Sequence, residues 1–272
     1  MSYKITYRQQ AMLDELKAFH FNECSIMEWK DKLTEPFPKN AIGPNEQKWI
    51  EKEEQFQLRF YSKIVGISLI FKRYYQIKRK RTSKLDQSLY QRWEKELPFT
   101  KQIMEGHQQS WREAVKKYAS FHQNLNLAKA YSLYVYDRHT VECDVFIHSI
   151  DSVIPARIEK VTKRGTIRYH DMGKTKRNDL YQDYVYSCVN KIVNDLFAVL
   201  PCKRVFINAV IGSYDDHLPI LSSVVERKHH RQLRCAKNTL EKQRHMVKFK
   251  VRTGFEPIHT IYSPDLLFRG DK

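Results

Sequence analysis

Glycine is scarce in this sequence, at 8 of 272 residues, which argues against a loop-rich all-β scaffold. Cysteine is sparse and unpatterned. Cys24, Cys143, Cys188, Cys202 and Cys235 are odd in number, widely spaced and contain no C-x-x-C. A disulfide framework is therefore not expected, and a reducing compartment fits better. Long apolar runs are missing too. The longest, Ile64 to Phe71, lies between Lys63 and Lys72, far short of the ~20 residues that a spanning helix needs. The opening segment MSYKITYRQQ lacks the apolar core of a secretory signal. The expected setting is the cytoplasm, with no transmembrane segment.

Several catalytic signatures are also absent. HDMGKTKRND contains Gly-Lys-Thr, but the phosphate-binding loop needs a glycine five positions earlier, where this chain has Arg168. No G-x-S-x-G elbow occurs, and Cys188 falls on an apolar helical stripe, where a thiol behaves as a small hydrophobe. HHRQLRC offers His229, His230 and Cys235, with His245 further on, yet no pair has metal-ligand spacing matched by a second pair. No metal and no cofactor are expected on these grounds.

What the chain does have is positive charge. The formal net charge is +17, and self-repulsion on that scale favours a polyanionic partner. Nucleic acid, DNA or RNA undecided, is the first expectation. An anionic membrane surface or an acidic protein is the alternative, and a margin of solubility is the plain one. Hydrophobic residues, at 42%, exclude wholesale disorder.

The charge is concentrated. FKRYYQIKRKRTSK holds Lys72, Arg73, Lys78, Arg79, Lys80, Arg81 and Lys84. Phe56, Phe60, Ile64, Ile67, Phe71 and Tyr74 precede or overlap it at steps of four and three, the spacing of one buried helical face. The cations then flank that helix or follow its end, where they also complement its dipole. A second segment, Glu226 to Arg252, carries Arg227, Lys228, Arg231, Arg234, Lys237 and Arg244 with only Glu226 and Glu241 as acids. It reads as a basic helix over about Arg227 to Arg244, short of the opposite-sign pairs that lace a solvated helix. A third group, Lys163, Arg164, Arg168, Lys174, Lys176 and Arg177, surrounds a turn at Gly165. It is either a phosphate-touching hairpin or a turn guarded against edge pairing.

The periodicity predicts an α+β fold: a mainly helical region over 1–130, then a domain with a mixed β-sheet and a long central helix over 131–272. A short helix at Gln9–Phe21 is followed by a proline-rich break at 34–45. Further helices are expected over Leu85–Leu97, closed by Pro98, and over Lys101–Leu127. YSLYVYD, VECDVFIHSI and VIPARIEKVTKRGTIRYHDM read as strands. Asn178–Leu200 repeats Leu180, Tyr184, Cys188, Ile192 and Leu196 at intervals of four, with Asn178 as N-cap. RVFINAVIG and PILSSVVE follow as strands. No linker marks the change at Ala130, so the two regions are expected to pack together.

Helix, three strands, helix, strand is the order of restriction-endonuclease-like nucleases. In that arrangement the carboxylates of Asp144 on the second strand and Glu159 on the third, with Lys160 as the motif's lysine, would hold Mg2+, which polarises a phosphate and helps ionise a water. Glu159 and Lys160 are adjacent, however, so they point to opposite faces of a strand. A metal-dependent nuclease is thus the alternative to simple binding.

LYQDYVYSCVNKIVNDLFAVLPCKRVFINAVI, with Tyr181, Gln182, Asp183, Tyr184, Phe197, Ala198, Leu200 and Pro201, resembles a block of an uncharacterised family of bacterial and prophage proteins. IPARIEKVTKRGTIRY is similar to the same group, and the likeness covers about residues 130–260. It implies a bacterial cytoplasmic setting and no particular chemistry.

Overall fold

The computed structural model describes residues 4–22, 24–57, 65–124, 126–212, 217–230, 240 and 243–261. The fold is α+β, and the chain divides into two compact units: residues 1–27 with 103–272, and residues 28–102.

The first unit is organised by its longest apolar helix. Leu180, Tyr184, Cys188, Ile192 and Leu196 are all buried, as their spacing predicts. The helix, α7 (Lys174–Val199), begins four residues earlier than Asn178 and is preceded by Gly173. Asn178 is therefore no N-cap. It is buried, and its Nδ2 donates to the Val251 carbonyl at 2.9 Å. Tyr181, Val185, Tyr186, Val189 and Val193 are buried as well, so α7 is enclosed on more than one side.

Six strands form the main sheet, in the order β2-β3-β6-β7-β8-β9: β2 (Ala130–Val135), β3 (Thr140–Phe146), β6 (Arg204–Gly212), β7 (His217–Glu226), β8 (Arg244–Lys250) and β9 (Gly254–Glu256). β3 and β6 run parallel, with Asp144 opposite Asn208, and the other neighbours are antiparallel. A parallel neighbour needs a crossover. Here it consists of α6 (Ile150–Val153), the hairpin β4 (Arg157–Val161) and β5 (Ile167–Asp171), and α7. Gly165 turns the hairpin with φ of +80°, a conformation costly for any side chain.

The strand order differs from the restriction-endonuclease-like one. β4 does not join β2 and β3 but pairs with β1 (Lys4–Ile5) and β5 in a separate three-stranded sheet. The reason is local: Gln9 Nε2 donates to the Arg157 carbonyl, and Gln9 Oε1 accepts from the Glu159 amide at 2.7 Å. That fastens β4 to the start of α1 (Tyr7–Ala18). A second correction concerns Arg227 to Arg244. There α8 (Arg227–His230) and Leu240 are helical, residues 231–239 and 241–242 lie outside the described residues, and the correction falls on Arg244, which opens strand β8. In RHMVKFK the half-buried His245, Val247 and Phe249 alternate with exposed neighbours, a period of two that the density of cations obscures.

In the second unit, α2 (Trp29–Leu33) precedes α3 (Pro44–Gln57), which faces α4 (Val65–Glu105). α4 continues through Pro98 and Leu97 does not end it. Proline removes one hydrogen bond, to the carbonyl four residues back. Both Pro98 and Glu94 are exposed, so water can satisfy that carbonyl. The expected helix at Lys101–Leu127 is in fact split. Gly106, with φ of +81°, ends α4, and α5 (Gln108–Tyr118), which belongs to the first unit, buries Trp111 and Val115.

α3 is capped from another helix. Its first-turn amides lack intrahelical acceptors, and the buried Asp86 carboxylate of α4 takes them. Oδ1 accepts from Asn45 N at 3.2 Å and Asn45 Nδ2 at 2.7 Å, and Oδ2 from Glu46 N at 2.9 Å. Gly43 is obligatory beside it, because a Cβ there would lie 2.3 Å from the Asp86 Cγ.

Candidate functional site

The cations of FKRYYQIKRKRTSK divide into two groups by direction. Arg79 turns toward α3, with Nη2 3.5 Å from Glu46 Oε1 and Nη1 3.5 Å from Glu53 Oε2. Lys78 lies 5.5 Å from the centroid of Trp49 and 5.5 Å from that of Tyr74. The aromatic rings of α4 also meet α3: Phe71 stacks on Phe56 at 4.7 Å, and Tyr75 lies 5.8 Å from Phe56 and 6.3 Å from Trp49. These two cations hold the helices together, by charge on one side and by cation–π attraction on the other.

Lys72, Arg73, Lys80, Arg81 and Lys84 are exposed. None of the five forms a salt bridge among the described residues. From Val65 to Leu85, α4 contains no Asp or Glu, so no acid within that stretch offsets them. Arg73, Gln76, Ile77, Lys80, Lys84, Gln87 and Gln91 recur at helical steps and share one exposed face. The single buried face expected from Phe56 to Tyr74 is not found among the described residues: Phe56 is half-buried on α3, Phe71 and Tyr74 are 39% and 45% exposed on α4, and Phe60, Ile64 and the side chain of Ile67 lie outside the described residues.

The second basic segment is arranged differently. Arg227 is committed to its own chain. Its Nε donates to the Cys202 carbonyl at 2.7 Å, its Nη2 donates to the Leu200 carbonyl, and its guanidinium sits 4.9 Å from the Phe197 ring centroid. It thereby serves the carboxyl end of α7, where a cation also meets the negative pole of the helix. Lys228 pairs with Glu226 at 2.9 Å. Arg244 is exposed on β8, while Arg231, Arg234 and Lys237 lie outside the described residues. In the third group Arg177 bonds Asp151 at 2.8 Å, and Lys163, Arg164 and Arg168 are exposed about the Gly165 turn.

The acidic residues singled out for metal chemistry are not brought to one sheet. Asp144 lies on β3 of the six-stranded sheet. Glu159 lies on β4 of the other, where its Oε2 accepts from Thr6 Oγ1 at 3.1 Å; Lys160 pairs in register with Ile5 and Arg168. The neighbour of Asp144 is instead Glu142, two residues back on the same face of β3. Asn208 Nδ2 donates to both, at 2.7 Å to Glu142 Oε1 and 2.8 Å to Asp144 Oδ1. Tyr136 OH donates to Glu142 Oε2, and Ser222 Oγ donates to Asn208 Oδ1 at 2.7 Å. Burial raises the Glu142 carboxyl above its ordinary range and the Asp144 charge adds to this, while the bonds from Tyr136 and Asn208 oppose it. Sequence reasoning missed Glu142, although its i−2 spacing from Asp144 on a strand was legible. Among the described residues, no group of three His, Cys, Asp or Glu side chains is placed to hold a metal ion. Nor, among the described residues, is any helix long and apolar enough to cross a membrane.

No protein-family model, curated protein or solved structure matches the chain.

Proposed function

We propose that this protein binds nucleic acid through phosphate contacts made by the outer face of α4. The observation that carries this reading is the set of exposed cations Lys72, Arg73, Lys80, Arg81 and Lys84, on a helical stretch without a single acid. Cations that serve a fold acquire partners, as Arg79 and Arg227 do. Cations kept in water along one helix cost the chain self-repulsion, which a polyanion relieves. The contacts supply affinity and register on the backbone. Arg244, Lys163, Arg164 and Arg168 are available for further phosphate contacts. The bacterial or prophage setting implied by the resemblance of the YQDY block would suit a protein of this kind.

The nuclease alternative with Asp144, Glu159 and Mg2+ is the weaker reading, since those carboxylates occupy different sheets.

Fluorescence anisotropy of the nuclease-treated protein against labelled oligonucleotides, with EDTA present, tests the proposal. The variant Arg73→Gln/Lys80→Gln/Arg81→Gln/Lys84→Gln keeps good helix formers at exposed positions. It should lose at least about a hundredfold in affinity at moderate salt. Wild-type affinity in that variant would overturn the proposal.

A further inference from the structure

Resting on the phosphate-binding reading above, we infer that the ligand is double-stranded DNA and that α4 lies in its major groove. The outer face of α4 carries more than cations. Gln76, Gln87 and Gln91 are exposed on the same face as Arg73, Lys80 and Lys84, and Ile77 is 48% exposed among them. Arginine bidentate to guanine, glutamine bidentate to adenine and an apolar side chain against the thymine methyl are pairings that base edges in the major groove offer. Amides also contact phosphates, but here they alternate with arginine and lysine and flank an exposed apolar side chain on one stripe, the mixture that base edges pair with.

The dimensions agree. A helix with its side chains is about 10–12 Å across, and the major groove of B-form DNA is about 12 Å wide. From Arg73 to Lys84 the helix rises about 16 Å, the length of about five base pairs at 3.4 Å each. The major groove of double-stranded RNA is deep and narrow and does not admit side chains in this way. Single strands are held by aromatic platforms on which bases stack. Here the aromatic rings of α4 are turned elsewhere: Phe71, Tyr74 and Tyr75 meet Phe56 or Trp49 of α3, and Tyr90 meets Phe37. None of them lies on the stripe that joins Arg73, Lys80, Lys84 and Gln91.

The test compares a mixed-sequence DNA duplex, its separate strands and the matching RNA duplex in one buffer with EDTA. Dimethyl sulfate protection is then read on the DNA duplex, because guanine N7 opens only into the major groove. The DNA duplex should bind about tenfold or more tightly than either alternative, with guanine N7 protected over a run of about five base pairs. On a duplex selected from a random pool, Gln76→Ala/Gln87→Ala/Gln91→Ala should lower affinity toward that for unselected duplex, and an unchanged preference would overturn the base-reading role of the amides. Equal or tighter binding of single strands or RNA would overturn the groove assignment and leave the phosphate reading standing. So would DNA binding with guanine N7 unprotected. Failure to bind all three would overturn both.

Discussion

Replacing Asp195 by asparagine should destabilise the larger unit more than any exposed substitution. Lys191 and Asp195 face each other one turn apart on α7, with side chains 4% and 0% exposed and an Nζ to Oδ1 distance of 2.6 Å. Lys191 Nζ also donates to the Asn22 carbonyl at 2.6 Å and to Ser120 Oγ at 2.7 Å. Asp195 Oδ2 accepts from Ser120 N at 2.9 Å, Ser120 Oγ at 3.0 Å and Phe121 N at 2.8 Å. The pair thus ties the segment after α1 and the turn after α5 to the central helix. Breaking a buried ion pair by removing one partner costs about 3–5 kcal/mol. Asp195→Asn belongs at the upper end, about 5 kcal/mol, since it leaves a buried ammonium and puts an NH2 against two backbone amides. Lys191→Met belongs near 3 kcal/mol by the same scale, because the carboxylate keeps the donors of Ser120 and Phe121. Urea unfolding followed by tryptophan fluorescence and circular dichroism measures both. A loss below about 1 kcal/mol for Asp195→Asn, or a larger loss for Lys191→Met, would refute this account of the pair.

In the helical unit, Gly43→Ala pushes a Cβ into the Asp86 carboxylate and should cost about 1–3 kcal/mol as overpacking. Asp86→Ala strips the cap from α3 and should cost about 1–2 kcal/mol. In a double-mutant cycle by urea unfolding the two losses should be less than additive, because removing the Asp86 side chain relieves the clash. Arg79→Gln should lower the stability of this unit by up to about 1 kcal/mol and leave the affinity for nucleic acid near wild type, whereas Lys80→Gln should do the reverse in the same two assays. Glu142 has a raised carboxyl, so the native state holds its proton more tightly than the unfolded chain. Its contribution is favourable below the ordinary carboxylate range and is lost as pH rises through the raised value. Glu142→Gln should therefore be more stable relative to wild type at pH 7.5 than at pH 4.5, and an equal difference at both would contradict this.

Periodic apolar residues made much of the architecture legible. The four-residue repeat from Leu180 to Leu196 predicts α7, and the β-branched run RVFINAVIG predicts the central strand β6. Boundaries set by single residues were harder. Pro98 marks a helix stop only where its lost hydrogen bond would be buried, and that depends on which face is wet. β8 escapes the sequence reading because its cations draw attention from the alternation of His245, Val247 and Phe249. The candidate surface was visible as charge, but its division was not. Whether Arg79 or Lys80 is free is decided by Glu46 and Glu53, more than twenty-five residues earlier. Arg227 met its partners, the carbonyls of Leu200 and Cys202, only through the hairpin of β6 and β7. The bond of Asn208 to Glu142 and Asp144 depends on parallel register, which no local pattern encodes.

The most direct test of the central claim is the slope of log affinity against log salt concentration for wild type and for Arg73→Gln/Lys80→Gln/Arg81→Gln/Lys84→Gln. On duplex DNA each phosphate contact contributes about −0.9 to that slope. The account predicts that the variant's slope is shallower than the wild type's by about 3 to 4, with circular dichroism unchanged. Two parallel lines would contradict it and would remove α4 as the phosphate-binding surface.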